Sequence, residues 1–221
     1  MSKYFFSTYD IDKTVILDGI DYLSIDTETN GLNFKRDRLC LIQILIKYTN
    51  QDEPKIYVIH FPEPKYGNAV NLKKLLKCKA YKLFHFARMD MLFIAQHLKV
   101  FVSNIICTRI LSKITKTYND RHGLKDLCRT YLNVNLNKNQ QCSYWGNVSL
   151  TKDQIDYAIG DVLYLYDLWQ TMKKECEKEH RYEIAKEAFK LSEKAVKVEI
   201  GGYKPNYLIA YADCICSDTI Y

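Results

Sequence analysis

Apolar residues gather in short runs along the first part of the chain, which is the pattern of buried strands. These runs cover residues 14–18, 21–26, 38–48 and 55–61. Asp18-Gly19 is a turn dipeptide between the first two runs, so we predict a hairpin-like start. The aliphatic run over 38–48 predicts a central strand, and a turn at 51–54 leads into the next strand.

The second part of the chain alternates short apolar runs with helical spacing. Helices are predicted over residues 71–77, 87–98, 109–117, 124–132, 152–179 and 181–197, with strands over 81–86 and 104–108. Early strands followed by alternating helices indicate an α/β fold with a mixed central sheet flanked by helices. Gly201-Gly202 and Pro205 interrupt the last pattern. We therefore predict a domain over residues 1–200 and a tail over 201–221, either an interface segment or disordered.

Composition changes this picture little. The 221 residues fit one domain, and 48% apolar residues allow a sizeable core. A net charge of +6 is compatible with a polyanionic partner without requiring one. The eight cysteines include no Cys-x-x-Cys pair, no signal peptide precedes them, and no apolar run reaches membrane length. Free thiols in a cytoplasmic protein without a membrane anchor are the expected reading.

Four acids interrupt the apolar patterns and form the candidate chemistry. Asp26 and Glu28 stand two residues apart at a strand end, so both side chains project from one face. Two like charges on one face of a buried strand repel each other, and the arrangement is costly without a cation. A solvated strand end with a chance spacing is the simpler alternative, and this pair alone does not decide between them.

Asp90 and Asp161 raise the same question on predicted helices. Asp90 falls on the packing face, although the helix dipole also favours an acid in a first turn. Asp161 falls on an apolar stripe, where an unpaired carboxylate costs several kcal/mol, so something positive must face it. Tyr157 lies one turn earlier and reaches the same space; a core tyrosine is the alternative.

The order and context of these residues match a two-metal nuclease site. Magnesium and manganese prefer oxygen ligands, and two ions about 4 Å apart clamp the attacking and leaving oxygens of a phosphodiester. We predict two divalent ions, Mg²⁺ or Mn²⁺, held by the acids named above. Tyr157 would orient or deprotonate the attacking water. The predicted catalytic set is Asp26, Glu28, Asp90, Tyr157 and Asp161.

The set resembles the DEDD exonucleases of the subclass with a tyrosine in the third motif, of which RNase D is the familiar member. The resemblance rests on Asp26-Thr27-Glu28, on His85, Ala87, Arg88 and Asp90, and on Tyr157 with Asp161. Residues 117–127 and 136–146 are similar to a small branch of that family, nano-RNase C. The resemblance covers roughly residues 15–185 and fades after about Lys197.

The resemblance implies a ribonuclease H-like fold and metal-dependent hydrolysis from the 3′ end that releases 5′-mononucleotides. The nano-RNase C branch favours very short RNA, down to the dinucleotide, and forms rings, which implies a homo-oligomer here, with an octameric ring as the expected form. Leu32 is expected to act as a wedge against the bases. The other predicted substrate contacts are Thr27, Asn30, Gly31, His85, Arg88, Arg121, His122, Lys138, Gln141, Ser143 and Trp145.

Several of these assignments have alternatives. Arg88 could pair with the acids, Lys138 could be a solvated surface residue, and Trp145 could pack rather than stack. At the level of function, a general RNase D-like exonuclease that trims longer RNA or DNA uses the same chemistry. A binding or scaffolding protein on an inactive exonuclease fold is the third hypothesis. Such relatives usually lose an acid, whereas all four are present here.

Overall fold

The computed structural model describes residues 3–136 and 140–209, and a six-stranded mixed sheet is the frame of this part of the chain. The strands are β1 (Tyr4–Thr8), β2 (Ile20–Thr29), β3 (Leu39–Tyr48), β4 (Lys55–His60), β5 (Tyr81–Phe84) and β6 (Ile105–Cys107). Their order across the sheet is β1-β4-β3-β2-β5-β6. β3 is antiparallel to β2 and β4, whereas the other neighbours are parallel.

Helices flank the sheet, which confirms the predicted α/β class. They are α1 (Val70–Leu76), α2 (Ala87–Phe93), α3 (Thr108–Thr115), α4 (Leu124–Leu132), α5 (Lys152–Leu163), α6 (Leu165–Lys178), α7 (Tyr182–Ile200) and α8 (Pro205–Ile209). A π-helical turn over Ile94–Leu98 extends α2, and a 3₁₀ turn covers Tyr66–Asn68. No helix in the described ranges is both long and apolar enough to cross a membrane.

The core centres on β3, whose aliphatic residues are buried along nearly the whole strand. A strand covered on both faces reads as a continuous apolar run, which is why its position was predictable. α5 packs against β2, β3 and β4, and α7 packs against α2, α3 and β6. Residues of α5 line the cavity described below, whereas α7 contacts α2 and α3 and contributes none of the lining residues in the described part of the chain.

Two predicted elements are wrong. Residues 14–18 form no strand and no hairpin, and β1 occupies the N-terminal segment that the pattern left unassigned. β1 is an edge strand with exposed aromatic side chains, so burial imposes no alternating pattern on it. The helix predicted over 152–179 is broken at Tyr164, because α5 packs on the sheet while α6 packs on α3 and α4.

The predicted boundary between domain and tail coincides with the end of a helix. α7 ends at Ile200, at the boundary predicted between domain and tail, but the division itself stays a prediction. Residues 210–221, with Cys214 and Cys216, lie outside the described part of the chain, as does the predicted contact residue Lys138. The six cysteines within it are free thiols.

Candidate active site

Three elements bring the predicted catalytic residues to one cavity of about 980 Å³. Asp26 and Glu28 lie at the carboxyl end of β2, and Asp90 lies in the first turn of α2, which follows β5. Tyr157 and Asp161 come from α5, one helical turn apart. Because β2 and β5 are parallel neighbours, residues at and beyond their carboxyl ends meet at one edge of the sheet.

Asp26, Glu28 and Asp161 form a tight cluster of carboxylates, whose facing oxygens lie within 4.8 Å of one another. All three side chains are half-buried and open to the cavity. Asp90 lines the same cavity but stands outside this trio. Its Oδ1 accepts a hydrogen bond from Thr27 Oγ1 at 2.7 Å, which holds the carboxylate beside the cluster.

The crowding of these acids shifts their protonation. Burial, followed by the charges of Asp90, Asp161 and Glu28, raises the pKa of Asp26 well above its usual range. Burial, followed by the charges of Asp161 and Asp90, raises the pKa of Glu28 well above its usual range. Burial raises the pKa of Asp90 to about 7, even though the hydrogen bond from Thr27 opposes that rise. The metal-free cluster therefore holds protons that separate carboxylates would release.

Gln43 is a residue of the site that sequence reasoning missed. It lies opposite Asp26 in the β2–β3 pairing, and its Nε2 donates to Asp26 Oδ2 at 2.6 Å. The side chain is fully buried in the middle of the aliphatic run of β3. A lone amide in such a run was the available signal, because a buried polar side chain requires a partner.

The Tyr157 hydroxyl is held against the acidic cluster. Burial, the charges of Asp161 and Glu28, and a hydrogen bond with Asp161 raise the pKa of Tyr157 far above its usual range. The hydroxyl thus keeps its proton at neutral pH in the metal-free protein. Trp145 packs near its ring with 6.0 Å between centroids and is buried, so it supports Tyr157 rather than standing exposed as a stacking surface.

A tight turn presents Leu32 to the cavity. Gly31 has φ 148°, and a Cβ at this position would come within 2.3 Å of Asp37 Oδ2. Asp37 in turn accepts a hydrogen bond from the Asn33 backbone N–H at 2.9 Å, which closes the turn. Leu32 lines the cavity with 82% of its surface exposed. A leucine exposed in the lining of a cavity is free to make apolar contact with a bound ligand.

The loop before α5 forms another part of the cavity wall. Gln154 caps α5 together with Thr151, and its Nε2 donates to Ser143 Oγ at 3.0 Å. Gln141 and Ser143 line the cavity, so this loop carries two of the predicted substrate contacts. The capping amide therefore links the start of α5 to the cavity wall.

The other predicted substrate contacts divide into two groups. Those that line the cavity are Thr27, Asn30, Gly31, Leu32, His85, Gln141, Ser143 and Trp145. Arg88, Arg121 and His122 do not line it, and their assignment as substrate contacts stays a prediction. Arg88 pairs with Glu199 of α7, and His122 Nδ1 shares a hydrogen bond with Ser112 Oγ at 2.8 Å. Arg121 is exposed in the loop before Gly123, because closeness in sequence does not set the direction of a loop side chain.

Arg109 supplies a positive charge to the cavity lining, which Arg88 and Arg121 do not. It lies at the second position of α3, and its guanidinium stacks on the Phe86 ring at 4.5 Å from the centroid. Both side chains line the cavity, and Arg109 is the lone lysine or arginine among the lining residues in the described ranges. A stacked guanidinium of this kind is a suitable phosphate ligand. No sequence motif distinguished it from the other basic residues.

A comparison with family models finds a match to the DNA_pol_A_exo1 family, described as "3'-5' exonuclease", over residues 11–177. The acids and the tyrosine of the cavity all fall within the matched segment. The match ends at residue 177, near the end of α6, so α7 lies beyond it.

Among solved structures, the chain is similar to NrnC of Brucella melitensis, with a TM-score of 0.84 and 36% identity over 95% of this chain and 98% of that chain. A structure of the same protein bound to pGG gives a TM-score of 0.84 and 35% identity over 96% and 100% of the two chains. A third, with bound Mg²⁺, gives a TM-score of 0.81 and 33% identity over 99% and 100%.

Curated relatives are similar over a shorter part of their length. DNA polymerase I of Aquifex aeolicus is 30% identical over 157 residues, which is 71% of this chain and 24% of that protein. Ribonuclease D of Zymomonas mobilis is 29% identical over 156 residues, which is 70% of this chain and 38% of that protein. The chain thus spans well under half the length of these curated relatives.

Proposed function

The chain belongs to the 3′-5′ exonuclease family, with ribonuclease D and NrnC among its relatives, and on that premise we propose that it hydrolyses very short RNA to 5′-mononucleotides. The ribonuclease H-like fold predicted from the sequence is confirmed by the relatives' structures. The observation that carries the proposal is the carboxylate cluster of Asp26, Glu28 and Asp161, which opens into a cavity beside Tyr157.

The donor set fits divalent metal ions. It consists of carboxylate oxygens within 4.8 Å of one another, the ligand type that magnesium and manganese prefer. The salt bridges of the described residues include none to Asp26, Glu28 or Asp90, so their repulsion is not relieved by a protein cation. A relative, NrnC, has been solved with bound Mg²⁺. We propose that four acids together hold two divalent ions: Asp26, Glu28, Asp90 and Asp161.

The residues of this chain then have distinct tasks. Bound divalent ions supply the positive charge that activates water and stabilises the charge developing on a phosphodiester. Gln43 orients the Asp26 carboxylate through its 2.6 Å hydrogen bond. Tyr157 keeps its proton and its hydroxyl faces the cluster, so it is suited to orient the attacking water by donating or accepting a hydrogen bond.

Two features of the cavity favour a short substrate. A long single strand needs a basic track for its backbone, and the described lining residues offer only Arg109. A volume of about 980 Å³ also matches a site for a small ligand, for which about 300–1,000 Å³ is usual. The relative NrnC has been solved with the dinucleotide pGG. Arg109 would bind a substrate phosphate that lies away from the carboxylates.

A cleavage series tests the proposal. Labelled RNAs of about two, three, five, seven and twenty nucleotides, and matching DNAs, would be incubated with Mg²⁺, Mn²⁺ or EDTA. We expect rapid cleavage of the dinucleotide with either metal, at least about tenfold faster than any step on the longest RNA, because one cation cannot hold a long backbone. EDTA should abolish turnover.

Uniform shortening of the twenty-nucleotide RNA or DNA would contradict the short-substrate proposal and favour general trimming. Absence of cleavage of every strand with both metals would contradict the nuclease proposal as a whole. The two outcomes differ, so the substrate class and the chemistry are tested separately.

Replacing Leu32 with Ala should weaken dinucleotide binding without destabilising the fold. The side chain is 82% exposed at the cavity, so we expect KM to rise about tenfold, the loss of one apolar contact with a base, and Tm to stay unchanged. Leu191→Ala on α7 is the matched control, because Leu191 is 60% exposed and does not line the cavity. A fall in Tm with unchanged KM would make Leu32 a structural residue.

The homo-oligomer, with an octameric ring as its expected form, stays part of the proposal. Phe5 and Phe6 of the edge strand β1 are each 45% exposed and would supply apolar surface for a contact between copies. Sedimentation velocity of the full chain tests it, and a monomer at micromolar concentration would contradict it.

A further inference from the structure

An ion pair joins α2, the helix that carries Asp90, to the end of α7. Arg88 Nε donates to Glu199 Oε1 at 2.7 Å, and Arg88 Nη2 donates to Glu199 Oε2. A forked guanidinium–carboxylate pair fixes relative orientation as well as distance. The Glu199 side chain is buried, and the Arg88 side chain is 44% exposed. The two helices are therefore held in one mutual arrangement.

Arg88 and Asp90 leave α2 in different directions. Two residues along an α-helix correspond to a rotation of about 200°, so their side chains lie on nearly opposite faces. Asp90 lines the catalytic cavity, and Arg88 does not. Arg88 thus contacts α7 on one face of α2, while Asp90 lies on the face that lines the cavity.

The order of charges in this pair opposes both helix dipoles. Arg88 is the second residue of α2, near the positive end of that helix. Glu199 is the last residue but one of α7, near the negative end of that helix. A pair retained only for stability would be better placed the other way round. The native order therefore points to a purpose beyond stability.

The start of α2 is held by contacts of several kinds, including the stacking of Arg109 on the Phe86 ring and the burial of Ala87. Phe86, its N-cap residue, has a left-handed backbone with φ 70° and makes no side-chain cap hydrogen bond. The Asp90 carboxylate itself is held by Thr27 Oγ1 at 2.7 Å. The Arg88–Glu199 fork adds a directional contact to this packing, because a forked pair fixes orientation whereas apolar packing is non-directional.

We propose that Arg88 and Glu199 are positioning residues that set α2 so that Asp90 stands beside the Asp26–Glu28–Asp161 cluster. The inference rests on the proposed function, because the position of Asp90 matters only if it serves the metal site. Glu199 lies beyond residue 177, where the match to the exonuclease family model ends. The end of α7 is accordingly part of the catalytic apparatus of this chain.

Three variants test the role: Glu199→Gln, Arg88→Lys and the exchanged pair R88E/E199R. We expect Glu199→Gln to lower kcat on a 5′-phosphorylated dinucleotide about ten- to a hundredfold, the scale of a small misplacement of a catalytic group, with KM nearly unchanged. Arg88→Lys keeps the charge but loses the fork, so its kcat should be intermediate. The exchanged pair agrees with both helix dipoles and should recover most of kcat.

Calorimetry with Mn²⁺ alone gives a second readout that needs no substrate. We expect Glu199→Gln to weaken Mn²⁺ binding about tenfold, as expected when a supporting contact of a metal ligand is lost. Glu187→Gln is the matched control, because Glu187 accepts from Lys190 Nζ at 2.7 Å on the exposed face of the same helix. This control should leave kcat and Mn²⁺ affinity unchanged.

The inference is overturned if folded Glu199→Gln and Arg88→Lys, assayed well below their Tm, keep native kcat and Mn²⁺ affinity; the pair then only stabilises. It is also overturned if the exchanged pair folds but stays as slow as Glu199→Gln. If the native protein fails to cleave the dinucleotide, the proposed function fails. The Mn²⁺ titration still decides whether the pair supports Asp90 in that case.

Discussion

Asp161→Asn should lower turnover of a dinucleotide on the order of a thousandfold, the scale of losing a preorganised group that stabilises transition-state charge. Asp161 is one of the three residues whose oxygens converge within 4.8 Å, and it also shares a hydrogen bond with Tyr157. An amide cannot supply the negative charge that a divalent ion requires. The substitution should therefore remove metal binding and the orientation of Tyr157 together.

The fold should survive this change. Asp161 raises the pKa of Asp26 and of Glu28, so removing its charge relieves repulsion, and Tm in EDTA should equal or exceed that of the native protein. Asp156→Asn, an exposed position on the same helix, is the matched control and should retain native turnover. Near-native turnover by folded Asp161→Asn would contradict the metal assignment.

The metal-free protein should lose stability as the pH rises from about 4 to about 7. Asp90 has its pKa raised from 3.8 to about 7, so the folded state binds a proton more tightly than the unfolded state does. Below pH 4 both states are protonated and the contribution is fully present. It is lost as the pH rises through the folded pKa, at a cost of roughly 4 kcal/mol above pH 7. The raised pKa values of Asp26 and Glu28 act in the same direction.

Magnesium should reverse this dependence. A dication favours ionised carboxylates and binds the folded state. At 10 mM, Mg²⁺ stands at about ten times a dissociation constant of about 1 mM, so it should raise Tm markedly at pH 8 and hardly at pH 5. Thermal melts in EDTA and in Mg²⁺ across this range measure the effect. Asp161→Asn should show a much smaller Mg²⁺ shift. A native Tm in EDTA that rises between pH 5 and pH 8 would contradict the crowding of acids described above.

Much of the sheet, and the candidate catalytic residues that the structure brings to one cavity, could be predicted from local pattern. The aliphatic run of β3 and the turn after it were predicted nearly to the residue, because a strand buried on both faces leaves a continuous apolar signal. Asp26 and Glu28 were predicted on one face of β2 because strand side chains alternate. Asp161 and Tyr157 were paired because four residues make about one helical turn.

Each position where prediction and structure differ has its own physical reason. β1 was missed because an exposed edge strand has no burial pattern, and its pairing with β4 spans some fifty residues of sequence. Tyr164 was read as mid-helix because the apolar spacing continues through the break between α5 and α6. Arg88 was expected to contact the substrate or the acids; in the structure its guanidinium pairs with Glu199, a partner more than a hundred residues away that no local spacing indicates.

The sequence by itself determined which side chains are the candidates for the chemistry, since the order of acids and tyrosine depends on short-range spacing along strands and helices. Only the tertiary structure decided which residues support them. Gln43 reaches Asp26 across a strand pair, Arg109 enters the cavity from another helix, and Glu199 reaches Arg88 from the far end of the fold. Such contacts depend on how distant segments pack, and no local period in the sequence records that packing.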